Sequence, residues 1–229
     1  MGGAALGADV SDGPRPIVPG SLGVFGGTFD PVHYAHLAVA EEAAEAIGLE
    51  RVLFIPAGEP PHKRALAITP AEDRLAMVEL AIADNPRFGV DRLEIDRPGP
   101  SYTVDTLETL RASRAAQGIA ADLTLILSAE AFLGLMTWRE PRRVLELARV
   151  VVAPRDGYPG AGPDFLAEHM PDLADRATFL DGPRLRLSAS ELRTRAAAGR
   201  SLRYLVPDAV LVYIGDHGLY QNSRRNPES

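Results

Sequence analysis

Short apolar runs alternate along the chain with stretches whose apolar positions recur at helical spacing. The runs at 22–26 (LGVFG), 51–56 (RVLFIP), 123–127 (LTLIL) and 149–153 (RVVVA) each read as a buried strand. Residues 88–95 alternate partially and read as one more strand. Helical periodicity marks 34–47, where Leu37, Ala40, Ala44 and Ile47 share a face and Gly48 supplies a stop. It also marks 70–83, 103–117 and 141–148. Strands alternating with helices predict a parallel sheet with helices on both faces. Strands buried on both faces are expected to be continuously apolar, as RVLFIP, LTLIL and RVVVA are.

The pattern changes after Pro154. A Gly/Pro-rich loop at 156–163, a weak helix at 165–174 and a short edge strand at 177–180 precede clear helices at 188–198 and 207–214. The fold class predicted is α/β: a Rossmann-like open parallel sheet with a small C-terminal helical part at about 186–220. No repeat or linker splits the chain, so a single domain over 21–220 is expected, with 1–20 a disordered leader and 221–229 a frayed tail.

Composition narrows the function classes. The 229 residues can bury a real core without staples, and the absence of cysteine excludes disulfides and thiolate metal sites. That fits a reducing cytoplasm. A net charge of -7 argues against gripping a nucleic-acid backbone, and no apolar run reaches the length of a membrane span. Small phosphate ligands remain compatible, because a few local donors suffice. Lys63 is the one lysine beside 23 arginines.

Candidate chemistry concentrates in five segments. The first is Gly26-Gly27-Thr28-Phe29-Asp30-Pro31-Val32-His33-Tyr34-Ala35-His36, between the first strand and the first helix. Glycines let a backbone approach a phosphate closely, and a helix N-terminus attracts anions. Asp30 before Pro31 predicts an N-cap with proline in the first turn, which puts His33 and His36 on one face, able to donate to phosphate oxygens. The bland alternative is a glycine turn, a capped helix and two surface histidines. A zinc pair is a third reading, with no further ligand at diagnostic spacing; no metal ligand is assigned.

The second segment, Pro56 to Lys63 (PAGEPPHK), follows the second strand, where stiff proline turns could aim the lysine inward; an ordinary exposed lysine is the alternative. The third, Pro98 to Thr103 (PGPSYT), leads into a helix that Ser101 or Thr103 could cap. The fourth holds Ser128, Glu130 and Trp138, the single tryptophan, which packing alone could explain. The fifth, Leu187 to Arg193 (LSASELR), carries a capping box from Ser188 to Glu191. A capped N-terminus with Ser190 and Arg193 in its first turn is also an anion site.

GGTFDPVHYAH resembles the H-x-G-H signature of the nucleotidyltransferase superfamily, and the longer string is similar to that of bacterial nicotinate-nucleotide adenylyltransferases. All five segments recur in that family's order over about 22–220. The resemblance implies transfer of AMP from ATP to nicotinate mononucleotide, giving nicotinate adenine dinucleotide and pyrophosphate, in NAD biosynthesis. It implies that His33, His36, Lys63 and Arg193 carry the catalysis. Gly26, Gly27, Thr28, Phe29, Ser188 and Ser190 are then expected to bind ATP, and Thr103, Trp138 and Glu130 the pyridine nucleotide. Mg2+ is expected to ride mainly on the ATP phosphates. The chain departs from the family pattern at Ala35, Ser128 and Glu130, where Gly, Gly and Asp are usual. Other readings are a phosphopantetheine adenylyltransferase, a cytidylyltransferase or a non-catalytic nucleotide-binding module. The oligomeric state, a homo-oligomer included, is left open, as is the choice between acid and amide pyridine.

Overall fold

The computed structural model describes residues 15–61, 68–120 and 122–221. In chain order it holds β1 (Val18–Gly27), α1 (Tyr34–Ile47), β2 (Leu49–Pro56), α2 (Ala71–Ile82), β3 (Phe88–Val90) and α3 (Leu93–Asp96). Then come α4 (Thr103–Ala116), β4 (Leu123–Ser128), α5 (Ala129–Leu133), α6 (Pro141–Leu147) and β5 (Arg149–Ala153). The chain continues through α7 (Pro163–His169), β6 (Ala177–Phe179), α8 (Ala189–Ala197) and α9 (Asp208–Asp216).

The strands form one six-stranded sheet in the order β3-β2-β1-β4-β5-β6, with every pairing parallel. The order reverses between β1 and β4, so a crevice opens where the loops after these strands part. Alternate residues of the central strands feed two cores. Leu123, Leu125 and Leu127 of β4 with Val150 and Val152 of β5 meet α4 and α6 through Val104, Leu107, Val144 and Leu145. Ile126 and Val151 face the other way, toward Ala40, Ala43 and Ala44 of α1 and Met77 and Val78 of α2. The alanine face lets α1 lie close against the sheet, and the helices α8 and α9 close the same side through Leu192, Val210 and Ile214.

Several expectations change in detail. The strand expected over 88–95 ends at Val90: the Asp91 carboxylate accepts the Leu93 N–H at 2.8 Å, and the chain turns into α3. The helix expected over 165–174 stops at His169, because Pro171 lacks a donor and would clash in a continuing helix; a 3-10 turn, Pro171–Arg176, follows. α5 and the 3-10 turn Leu135–Thr137 sit in a run, 129–136, without a clear polar face, and the periodicity misses both. β1 begins at Val18, inside the expected leader.

Candidate active site

The first helix begins three residues later than Asp30-Pro31 predicts. His33 has extended backbone (φ -150°, ψ 168°) and is itself the N-cap of α1, so Asp30 caps nothing. The shift brings the two histidines together: their rings stack with centroids 3.7 Å apart and planes 19° apart. The His33 backbone N–H donates to His36 Nδ1 at 3.2 Å. That bond makes Nδ1 the acceptor of a neutral His36 and leaves the ring proton on Nε2, where it is a donor. Phe29 and Phe25 hold the His36 ring edge-on, at 5.1 and 6.0 Å.

His33 is only 4% exposed, and its Nδ1 has no hydrogen-bond partner. Burial, reinforced by the Arg155 charge and opposed by a backbone hydrogen bond, lowers its pKa to about 4. The imidazole is therefore neutral at physiological pH. Arg155 follows β5 and pairs with Glu130 of α5 at 2.6 Å. It also lines a cavity of about 400 Å³ with Ala129, Tyr158, Phe179 and Arg184, at the carboxyl ends of β5 and β6.

A second cavity, of about 290 Å³, lies between the loop after β1 and the start of α4. Gly26, Gly27 and Thr28 form one wall, Ala57, Pro60 and Pro61 another, and Tyr102, Thr103 and Trp138 a third. At its base lies Glu94, 6% exposed, whose carboxylate accepts from Thr106 Oγ1 at 2.6 Å; Arg97 Nη2 donates to the same hydroxyl at 3.0 Å. Burial pushes the Glu94 pKa up, against a hydrogen bond from Thr106, the Arg97 charge and a hydrogen bond from Ser101. At the mouth, the Arg139 guanidinium lies over the Tyr102 ring, 4.9 Å from its centroid.

Two close approaches shape this cavity. A Cβ on Gly58 would stand 2.2 Å from the Glu94 carbonyl oxygen, so only glycine lets the turn after β2 rest on α3. A Cβ on Gly27 would meet the Phe29 ring at 2.9 Å. Neither Ser101 nor Thr103 caps α4: Ser101 Oγ instead accepts the Gly58 N–H at 3.0 Å, and the cap position is Tyr102.

Sequence reasoning missed Arg74. Its side chain is fully buried, at 1% exposure, and donates to the carbonyls of Thr28 (2.8 Å), Ala57 (2.7 Å) and Thr69 (2.9 Å). It thereby ties together two walls of the 290 Å³ cavity. The available signal was an arginine on the apolar stripe of α2, beside Leu75, Met77 and Val78.

The other expected residues fall as follows. Arg193 of α8 reaches the loop before the histidines, with Nη1 donating to the Asp30 carbonyl at 2.7 Å. Ser188 caps α8 by accepting the Glu191 N–H at 3.2 Å, as its box predicts, and Ser190 is exposed in the first turn. Phe29 is 2% exposed, so its side chain belongs to the core and only its backbone is left for a ligand. Glu130 does not line the 290 Å³ cavity; it faces Arg155. Ser128 caps α5 by accepting the Ala131 N–H at 3.2 Å. Lys63 lies outside the described residues. Among the described residues no group of three His, Asp or Glu is placed to hold a metal, and no helix is long and apolar enough to cross a membrane.

A stacked histidine pair in the loop after β1, at the sheet's switch point, suits phosphate chemistry. The sequence profile described as cytidylyltransferase-like matches residues 24–195, and the chain belongs to that family of nucleotidyltransferases. Within it, the chain is a member of the nicotinate-nucleotide adenylyltransferases. It is 53% identical to the probable nicotinate-nucleotide adenylyltransferase of Roseiflexus sp. (strain RS-1) over 87% of this chain and 98% of that protein. The corresponding protein of Thermus thermophilus is 46% identical over 87% and 99%. Among solved structures, the Plasmodium falciparum nicotinic acid mononucleotide adenylyltransferase complexed with NaAD shares the fold, with a TM-score of 0.71 at 16% identity over 87% of this chain and 97% of that one.

Proposed function

We propose that the chain transfers AMP from ATP to nicotinate mononucleotide, releasing pyrophosphate and forming nicotinate adenine dinucleotide. The observation that carries this reading is the shared wall. Gly26, Gly27 and Thr28 line the cavity that contains Trp138, and the same loop runs on into the stacked His33–His36 pair. A pyridine seated against Trp138 would thus present its 5′-phosphate toward the histidines.

In the reaction, an oxygen of that 5′-phosphate forms a bond to the α-phosphorus of ATP. The bond from the α-phosphorus to the bridging oxygen breaks, and pyrophosphate leaves with the electron pair. Attacking and leaving oxygens lie in line, so positioning and fixed donors supply the rate enhancement. His36 Nε2–H and His33 donate to the developing charge at phosphate oxygens. Arg193 and Lys63 neutralise the leaving pyrophosphate. The 400 Å³ cavity, next to Arg155 and Glu130, takes the adenosine. Thr103 and Trp138 hold the pyridine, the indole giving it a flat rigid face.

Magnesium, carried on the triphosphate, would offset its charge. Two imidazoles and arginines make a poor cage for that hard cation, so it would rest on phosphate oxygens and water. A cytoplasmic location fits the cysteine-free composition.

The test is pyrophosphate release with a panel of substrates. ATP with nicotinate mononucleotide should turn over; CTP in place of ATP, or phosphopantetheine in place of the mononucleotide, should not. Release with phosphopantetheine alone would assign the chain to a different branch of its family.

A further inference from the structure

Tyr220 lies four residues past the end of α9, yet its hydroxyl donates to Asp30 Oδ1 at 2.7 Å. Asp30 is 3% exposed and stands in the β1–α1 loop, three residues before His33. Its Oδ2 accepts the Thr69 N–H at 3.4 Å and lies 3.9 Å from Arg193 Nη1. That same Nη1 donates to the Asp30 carbonyl. One buried carboxylate therefore joins the histidine loop, the segment entering α2, the N-terminal half of α8 and the C-terminal end of the described chain.

The Tyr220 backbone is left-handed, with φ 62°, a conformation costly for an aromatic residue and held only where its surroundings fix it. A buried carboxylate needs donors on both oxygens. The Oδ1 donor is the phenol. Without it, the Asp30 side chain would recover the lost interaction by drawing the Arg193 guanidinium from 3.9 Å into a direct pair. That would take Arg193 away from a triphosphate.

We propose that Tyr220 is a positioning residue for the triphosphate site, acting through Asp30 to set the place of Arg193 and of the loop that carries His33. This inference rests on the reading of Arg193 as a phosphate donor. Tyr220 touches no reacting atom. Its effect is to satisfy Asp30 so that the remaining Arg193 N–H groups stay available to phosphate.

The test is Tyr220→Phe in the full chain, which keeps the ring and removes only the donor. In ligand-free protein the Arg193 Nε–Hε resonance should shift, while that of Arg142, paired with Asp172 on another surface, stays in place. In turnover, KM for ATP should rise about tenfold, the scale of one hydrogen bond to a charged group, with KM for nicotinate mononucleotide within about twofold. An unmoved Arg193 resonance, or an unchanged KM for ATP, overturns the proposal. So does an equal rise in both KM values, which marks general loosening. Absence of wild-type turnover would sink the adenylyltransferase reading instead, and the ligand-free resonance would still decide the role of Tyr220.

Discussion

The His33 backbone N–H donates to Nδ1 of His36, 3.2 Å away, and the two rings stack, so one histidine fixes the tautomer of the other. The pair is asymmetric. His36 is partly exposed and anchored by its Nδ1; His33 is buried, with Nδ1 unpartnered. That asymmetry follows from where α1 begins, since a helix starting at Pro31 would not place His33 at the cap.

Burial of a neutral His33 makes folding stability depend on pH. Its pKa is about 4 in the fold against 6.5 for an unperturbed histidine. Between those values the unfolded chain binds a proton that the native chain does not. The His33 contribution is therefore complete above pH 6.5 and is lost as the pH falls toward 4, by on the order of 3 kcal/mol. Urea unfolding of wild type and His33→Asn at a series of pH values should show the wild-type stability falling more steeply over that window. Parallel curves would refute the buried neutral imidazole.

Arg74 should be the most sensitive position outside the histidine loop. Arg74→Met would remove its hydrogen bonds to the carbonyls of Thr28, Ala57 and Thr69 and take a buried positive charge from the vicinity of Asp30. A loss of about 3–5 kcal/mol in unfolding free energy is expected. A surface control such as Arg92→Met, at a half-exposed ion pair with Glu72, should be close to neutral. Chemical denaturation of both variants checks the ranking, and equal losses would contradict it.

Trp138 is the single tryptophan and lines the 290 Å³ cavity. Its emission therefore reports on that cavity without a label. Titration with nicotinate mononucleotide should quench it, since a pyridinium stacked on indole accepts excited-state density. Inorganic phosphate alone should leave it unchanged. An emission insensitive to saturating mononucleotide would place the pyridine elsewhere.

Much of this architecture was legible along the chain. The helix at 34–47 and the strand at 149–153 are found with the bounds their patterns predict, because a sustained period or an unbroken apolar run is a local signal. What escaped the sequence depends on partners distant in the chain. Asp30 looks like an N-cap beside Pro31, yet its bonds go to Thr69, Arg193 and Tyr220. Ser101 looks like a cap for α4, yet it holds the turn at Gly58. Glu94 reads as a polar position in a partial strand, and becomes the base of a cavity only because α3 turns it inward under Gly58. Polar residues with several competing partners are the positions where local rules decide least.

The central claim is that one loop serves two chambers: a pyridine site at Trp138 and a phosphate site at the histidines. Steady-state kinetics of Trp138→Ala and His36→Ala, measured side by side, test it most directly. Trp138→Ala should raise KM for nicotinate mononucleotide about tenfold or more and leave KM for ATP near wild type, since stacking is lost on one ligand alone. His36→Ala should lower kcat more than tenfold, roughly the scale of one lost transition-state donor, with both KM values little changed. Near-normal turnover by His36→Ala, or a Trp138→Ala effect that falls on ATP, would contradict the account.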